Sequence, residues 1–197
     1  MMSHIENKIK LKHILGLCKC DHKKEINKQP HLKDAHMYCK INQLPGQVSG
    51  LLIENYIKHK YTMVKNKPEL CIGDLRGNNQ TNIEIKVSIG GKENNRFNYV
   101  QLRMNHICEY ILTAYYVNEI NIDSLGELFI FRLKKDDIKS FILKYGSYAH
   151  GTKKKLGPIT QEDLDDTANN KEYAIRPTFK DKCWQELLEF RITELCI

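Results

Sequence analysis

The sequence predicts an α/β protein built on a mixed central sheet flanked by helices, and three observations carry that reading. Two apolar and aromatic stretches, Ile107 to Val117 and Glu127 to Leu133, suit central strands buried on both faces. Two shorter stretches, Leu70 to Leu75 and Thr81 to Val87, are separated by Arg76-Gly77-Asn78-Asn79-Gln80, whose Gly and Asn suit a turn with positive φ and hence a β-hairpin. Amphipathic helical patterns stand before and after these strands. The order helix, hairpin, strands, helix, helix gives an α/β or α+β sandwich with the hairpin at one sheet edge.

Taken in order, Leu11 to Asn42 is polar and crowded with Cys, His and Lys, which predicts a helix followed by an irregular arm ending at Leu44-Pro45-Gly46. Val48, Leu51, Leu52, Tyr56 and Ile57 then recur near helical spacing, with Gln47, Gly50, Glu54 and Lys58 opposite. This is an amphipathic helix that presents Glu54. After the hairpin, Gly90 to Asn95 is a polar loop. Asp136 and Asp137 open a helix in which Ile138, Phe141, Ile142 and Tyr145 follow i, i+3, i+4, i+7, the acids sitting at the positive end of its dipole. Gly146 to Lys180 is turn-rich and charged. Trp184, Leu187, Leu188, Ile192 and Leu195 mark a C-terminal amphipathic helix beginning near Asp181.

The 197 residues fit a single domain, with an arm at 1–46, a core at 47–145, and a basic loop with the C-terminal helix at 146–197. No apolar run approaches the roughly 18–20 residues of a membrane span. Met1 to Lys12 lacks an apolar signal core, and seven cysteines are an odd number in a chain large enough to fold by burial. An intracellular, cytoplasmic chain with reduced thiols and no membrane partner is the expectation. Cys71 and Cys108 read as small core residues in strands. The 31 Lys+Arg against 24 Asp+Glu give a formal +7, which favours polyanionic partners where the charge clusters and is otherwise a solvated basic surface.

Chemistry concentrates at the hairpin. Thr81 to Val87 alternates, so Ile83, Ile85 and Val87 share one face while Glu84 and Lys86 share the other. Asp74, ten residues before Glu84, can lie across from it and share a divalent cation. Two hard oxygen ligands beside an ammonium suit magnesium and phosphodiester cleavage. The ion stabilises phosphoryl charge and acidifies water, and the Lys orients or deprotonates that water. Asp74 and Glu84 are therefore candidate ligands, the Ile85 backbone carbonyl a third, and Lys86 the water-positioning group. An acid two residues before Lys occurs four times in this chain, so the triplet alone says nothing. Only Glu84-Ile85-Lys86 sits on an alternating strand, follows an Asp across a turn, and comes after a helix with a lone acid, Glu54. The competing reading is a surface ion pair on an edge hairpin.

Ile72-Gly73-Asp74-Leu75 followed by Glu84-Ile85-Lys86-Val87-Ser88 resembles the PD-(D/E)xK motif of restriction endonuclease-like nucleases, with Ile72-Gly73, or Gly73 alone, in place of the Pro. The downstream order Phe97 to Arg103, Cys108 to Leu112 and Leu128 to Leu133 is similar to many type II restriction enzymes. The resemblance spans about Gln47 to Tyr145 and implies a restriction endonuclease-like fold with a catalytic β-hairpin. It further implies a homodimer that cuts double-stranded DNA at specific sequences with Mg2+, for which Mn2+ can substitute. It also gives Glu54 a supporting or second-metal role.

Lys92, Asn94, Asn95, Arg96, Gln101 and Arg103 follow the catalytic strand with donors suited to base edges. His150, Lys153, Lys154 and Lys155, joined by Arg176, suit phosphates. A merely solvated surface is the alternative for each. Cys18, Cys20, His22, His31, His36 and Cys39 hold donors soft enough for zinc, but Cys-x-Cys-x-His lacks the usual spacing, so idle thiols and surface imidazoles are favoured. His106 and His150 lack a paired Ser or Cys nucleophile context, and no hydrolase triad follows. Two other functions stay open: a repair or junction-resolving nuclease of the same fold, and a non-catalytic nucleic-acid or zinc-binding module.

Overall fold

The two apolar stretches become neighbouring interior strands of a six-stranded sheet. The computed structural model describes residues 19–91, 95–118, 125–149, 157–166 and 171–195. In chain order come helices α1 (Lys19–Asn27), α2 (Leu32–Ile41) and α3 (Gly46–Lys60), then β1 (Val64–Lys65), β2 (Leu75–Arg76), β3 (Asn82–Gly91), β4 (Tyr99–Arg103), β5 (Glu109–Val117) and β6 (Glu127–Leu133). They are followed by α4 (Lys135–Tyr145), β7 (Ser147–Tyr148), α5 (Gln161–Asp165), β8 (Glu172–Ile175), α6 (Lys182–Leu188) and β9 (Arg191–Ile192). The main sheet has the order β1-β2-β3-β5-β6-β9, and β4-β8-β7 form a smaller one. β3 and β5 run parallel, from Ile83 opposite Glu109 to Gly91 opposite Val117, while the other pairs in the main sheet are antiparallel. The sheet is therefore mixed, with helices on both faces, as the sequence predicts.

Each face has its own core. Ile26, Ala35, Ile53, Tyr56, Ile83 and Ile111 close the face under α1, α2 and α3. Phe97, Tyr110, Leu112, Phe131, Phe141 and Trp184 close the other, under α4, α6 and the smaller sheet. β5 is buried along its length except at its two ends, which explains its run of apolar residues without alternation. α4 buries Ile138, Phe141 and Ile142, on the predicted stripe. Among the described residues no helix is long and apolar enough to cross a membrane.

Five expectations change. The described part of the N-terminal arm is two helices and not a helix with an irregular tail. α2 buries Leu32, Ala35, His36 and Cys39, a regular i, i+3, i+4, i+7 stripe in which His and Cys serve as core residues. On α3 the buried stripe is Ser49, Leu52, Ile53, Tyr56 and Ile57, and Leu51 is 45% exposed. The first hairpin strand is only Leu75–Arg76, since Pro68–Leu70 form a 3-10 turn and Cys71 follows with φ 51°. The left-handed residue of the hairpin turn is Gln80, with φ 65°.

The fourth change is at the C-terminus, where α6 ends at Leu188 and Ile192 enters edge strand β9, opposite Ile130. One continuous helix is impossible there. Trp184 and Leu187 belong to one core, whereas Ile192 and Leu195 pack on the opposite face. Cys71 and Cys108 also lie outside the strands and are half-buried.

Candidate active site

β3 is a strand with two different edges. Along one it pairs with β5 throughout; along the other β2 reaches only Asn82 and Ile83. From Glu84 onward that second edge carries no described strand. A cleft of about 1170 Å³ runs beside it, between the N-terminal turn of α3 and the 96–101 segment, with Lys86, Arg96, Asn98 and Gln101 among its lining residues.

The loop before β2 delivers Asp74 to this edge. Gly73 has φ +82°, and a Cβ there would lie 2.7 Å from the Ile83 carbonyl oxygen, so only glycine lets the loop approach β3 this closely. Asp74 then stands one residue beyond the Leu75–Ile83 ladder pair, facing Glu84. Its Oδ2 accepts from the Ile85 backbone N–H at 2.9 Å. A strand residue's N–H and C=O leave the same edge, so the Ile85 carbonyl also points toward this side.

Glu84 and Lys86 share the face of β3 opposite Ile83 and Ile85, as alternation predicts, but the pair is not surface decoration. Their side chains are 4% and 15% exposed. Lys86 Nζ donates to Glu84 Oε1 at 2.6 Å, and His106 Nδ1–H donates to Glu84 Oε2 at 3.3 Å. Each carboxylate oxygen thereby has one partner and keeps a second lone pair. The turn bearing His106 is tied to the loop bearing Asp74 through the Ile107 N–H on the Cys71 carbonyl, at 2.8 Å.

The two carboxylates titrate in opposite directions. Burial, then the Glu84 charge, with a smaller contribution from Glu54, push Asp74 up to about 6. Burial also pushes Glu84 up, but the His106 hydrogen bond and the Lys86 ammonium outweigh it and hold Glu84 below its ordinary value. Glu54 accepts from Lys65 Nζ at 3.2 Å, so it stands within electrostatic range of Asp74 with its own cation.

Cys108 completes a group that sequence reasoning missed. A Glu84 carboxylate oxygen, a His106 ring nitrogen and Cys108 Sγ lie within 4.8 Å of one another, which among the described residues is the one triad of metal-type donors. Burial pushes the Cys108 thiol up to about 12. The signal was the spacing His106-x-Cys108 just before a strand. Its meaning depends on the parallel β3–β5 pairing, which sets Glu84 opposite Tyr110.

The remaining candidates divide. Arg96 and Gln101 line the cleft beside Lys86. Gln101 has φ 57° at a register shift in β4, and such an irregularity re-aims a side chain. Asn95 is exposed, and its backbone carbonyl accepts from Phe179. Arg103 is not a free DNA donor: its Nε donates to Glu172 at 2.9 Å, joining β4 to β8. Arg176 donates to Ser147. Lys92, Asn94, His150, Lys153, Lys154 and Lys155 lie outside the described residues.

The N-terminal Cys/His group does not assemble into a zinc site among the described residues. His36 donates from Nδ1 to the Leu32 carbonyl at 2.8 Å and accepts at Nε2 from Thr113 Oγ1 at 2.9 Å, leaving no ring nitrogen for a metal. His22 Nδ1 bonds the Tyr38 hydroxyl at 2.8 Å, and burial pushes the Cys39 thiol up to about 11. Cys18 and the side chain of Cys20 lie outside the described residues. No family model matches this chain, and no curated protein or solved structure matches it.

Proposed function

We propose that this chain is a magnesium-dependent endonuclease of the PD-(D/E)xK kind, hydrolysing phosphodiester bonds in duplex DNA in the manner of type II restriction enzymes. The observation that supports this reading is the meeting of Asp74, Glu84 and Lys86 at the open edge of β3, beside a cleft lined by Arg96 and Gln101. The donor set fits a hard dication. Burial, and after it the neighbouring Glu84 charge, raise Asp74, and a cation between the two carboxylates would relieve their repulsion. Asp74, Glu84 and the Ile85 carbonyl would hold Mg2+ or Mn2+, which when bound supplies charge stabilisation at the phosphoryl oxygens and acidifies a water.

The chain's own groups do the positioning. Lys86, anchored on Glu84 Oε1, orients the attacking water and balances charge on the phosphate. At 15% exposure its field is weakly screened. The Ile85 N–H fixes the Asp74 carboxylate, and Glu84 is fixed from both sides. Arg96 and Gln101 offer donors to phosphate and base edges along the cleft. A homodimer supplies two sites for two strands, matching a twofold-symmetric target.

The test is Lys86→Ala in the full chain. Cleavage of duplex DNA should fall by about 10²–10³-fold or more while a gel shift in calcium still shows binding. Cleavage at the wild-type rate by the folded variant would refute the assignment.

A further inference from the structure

Glu84 faces two sets of donors, and the second is chemically unlike the first. Asp74 and the Ile85 carbonyl supply hard oxygens from the hairpin side. From the turn before β5 come an imidazole and a thiol, His106 and Cys108. Thiolate and imidazole select borderline metals such as zinc, whereas magnesium takes oxygen ligands. We propose that Glu84, His106 and Cys108 form a second metal site, for Zn2+, with three protein ligands and one position left for water.

The geometry is close to closed. His106 Nδ1 and Glu84 Oε2 stand 3.3 Å apart. For zinc bonds of about 2.0–2.1 Å the edge of a tetrahedron is about 3.3–3.4 Å, so these two atoms already span one edge. A His106 ring nitrogen, a Glu84 carboxylate oxygen and Cys108 Sγ lie within 4.8 Å of one another, so side-chain shifts of about 1 Å close the set to zinc bonding distances. Glu84 and His106 are buried and Cys108 is half-buried, so the ion would displace little water from its ligands.

Charge closes as well. Carboxylate and thiolate together neutralise the dication, and Lys86 remains on the other Glu84 oxygen, Oε1, opposite the negative Asp74. On binding, Cys108 releases its proton to solvent. The His106 proton leaves Nδ1, which takes the metal in place of its hydrogen bond, and the ring carries its proton on Nε2. The backbone is held in advance, by Ile107 N–H on the Cys71 carbonyl and by Tyr110 Oη on the Arg103 carbonyl, each at 2.8 Å. Because the site shares Glu84 with the proposed magnesium site, zinc and magnesium compete for one carboxylate. That consequence alone rests on the nuclease reading.

The test uses Co2+ as a spectroscopic probe on the reduced, metal-stripped full chain, with no DNA present, so its outcome is independent of any cleavage assay. Wild type should bind one equivalent, with the visible bands of a tetrahedral site and a near-ultraviolet sulfur-to-cobalt charge-transfer band, both removed by stoichiometric Zn2+. Cys108→Ser should lose the charge-transfer band, and His106→Gln should weaken Co2+ binding by at least about tenfold. Near-ultraviolet circular dichroism identifies variants that fold. No charge-transfer band in wild type, or an unchanged band in folded Cys108→Ser, would overturn the site.

Discussion

The two faces of the central sheet bury polar side chains in contrasting ways. Under α2, His36 is wholly buried, and desolvation lowers it to about 4 despite its bond to the Leu32 carbonyl. Both ring nitrogens are satisfied by neutral partners, and nothing there is left to react. Across the sheet, Glu84 is just as buried but charged, and it holds both an ammonium and an imidazole. Buried charge costs more than a neutral hydrogen-bonded pair and gives no assured return in stability. A sheet requiring only a core is served by the first arrangement, whereas the second holds charged groups on β3 where its edge is unpaired and a cleft runs beside it.

The sharpest way to break the contrast is to remove the charge itself. Glu84→Ala leaves the Lys86 ammonium without its counter-charge and the His106 ring N–H without its acceptor, so unfolding in urea should show a loss of about 3–5 kcal/mol, and cleavage should vanish. His36→Ala should cost about 2–4 kcal/mol through its cavity and the stranded Thr113 hydroxyl. Cleavage per folded molecule should stay at the wild-type rate. The two variants thus separate a charged site from a neutral core contact.

Asp74→Asn should move stability the other way. In wild type the folded-state value of about 6 lies above the ordinary 3.8, so the native state holds the proton more tightly and loses stability as pH rises across that interval. Asn never ionises and can still accept from the Ile85 N–H. Without divalent ions, the variant should gain on wild type between these two values and remain ahead by about 2–3 kcal/mol at neutral pH, measured by thermal melts across pH. Its cleavage should be lost. A variant less stable than wild type at neutral pH would show that the Asp74 charge is not strained. The smallest effect is at the cleft rim: Arg96→Ala should lower the slope of log affinity against log salt by about 1.

These contrasts follow how far each feature was legible in the sequence. β5 and β6 were legible as short apolar runs and α4 as a stripe of helical period. The α2 stripe was hidden because two of its buried positions are His36 and Cys39, residue types equally at home on a surface. The C-terminal segment misled because its apolar residues keep helical spacing while serving opposite faces, Trp184 on one and Leu195 on the other. At the site, Asp74, Glu84 and Lys86 were legible because a hairpin brings them together within a few residues. His106 and Cys108 arrive through a parallel strand pairing, whose partner no local pattern identifies.

The most direct measurement is digestion of long unmodified duplex DNA by the purified full-length chain with magnesium, followed by mapping of the ends. The proposed nuclease should yield discrete fragments with defined termini, arrested by a chelator and resumed when magnesium is restored. Intact DNA in the presence of folded protein and magnesium, or cutting that continues in Asp74→Asn, would contradict the nuclease reading.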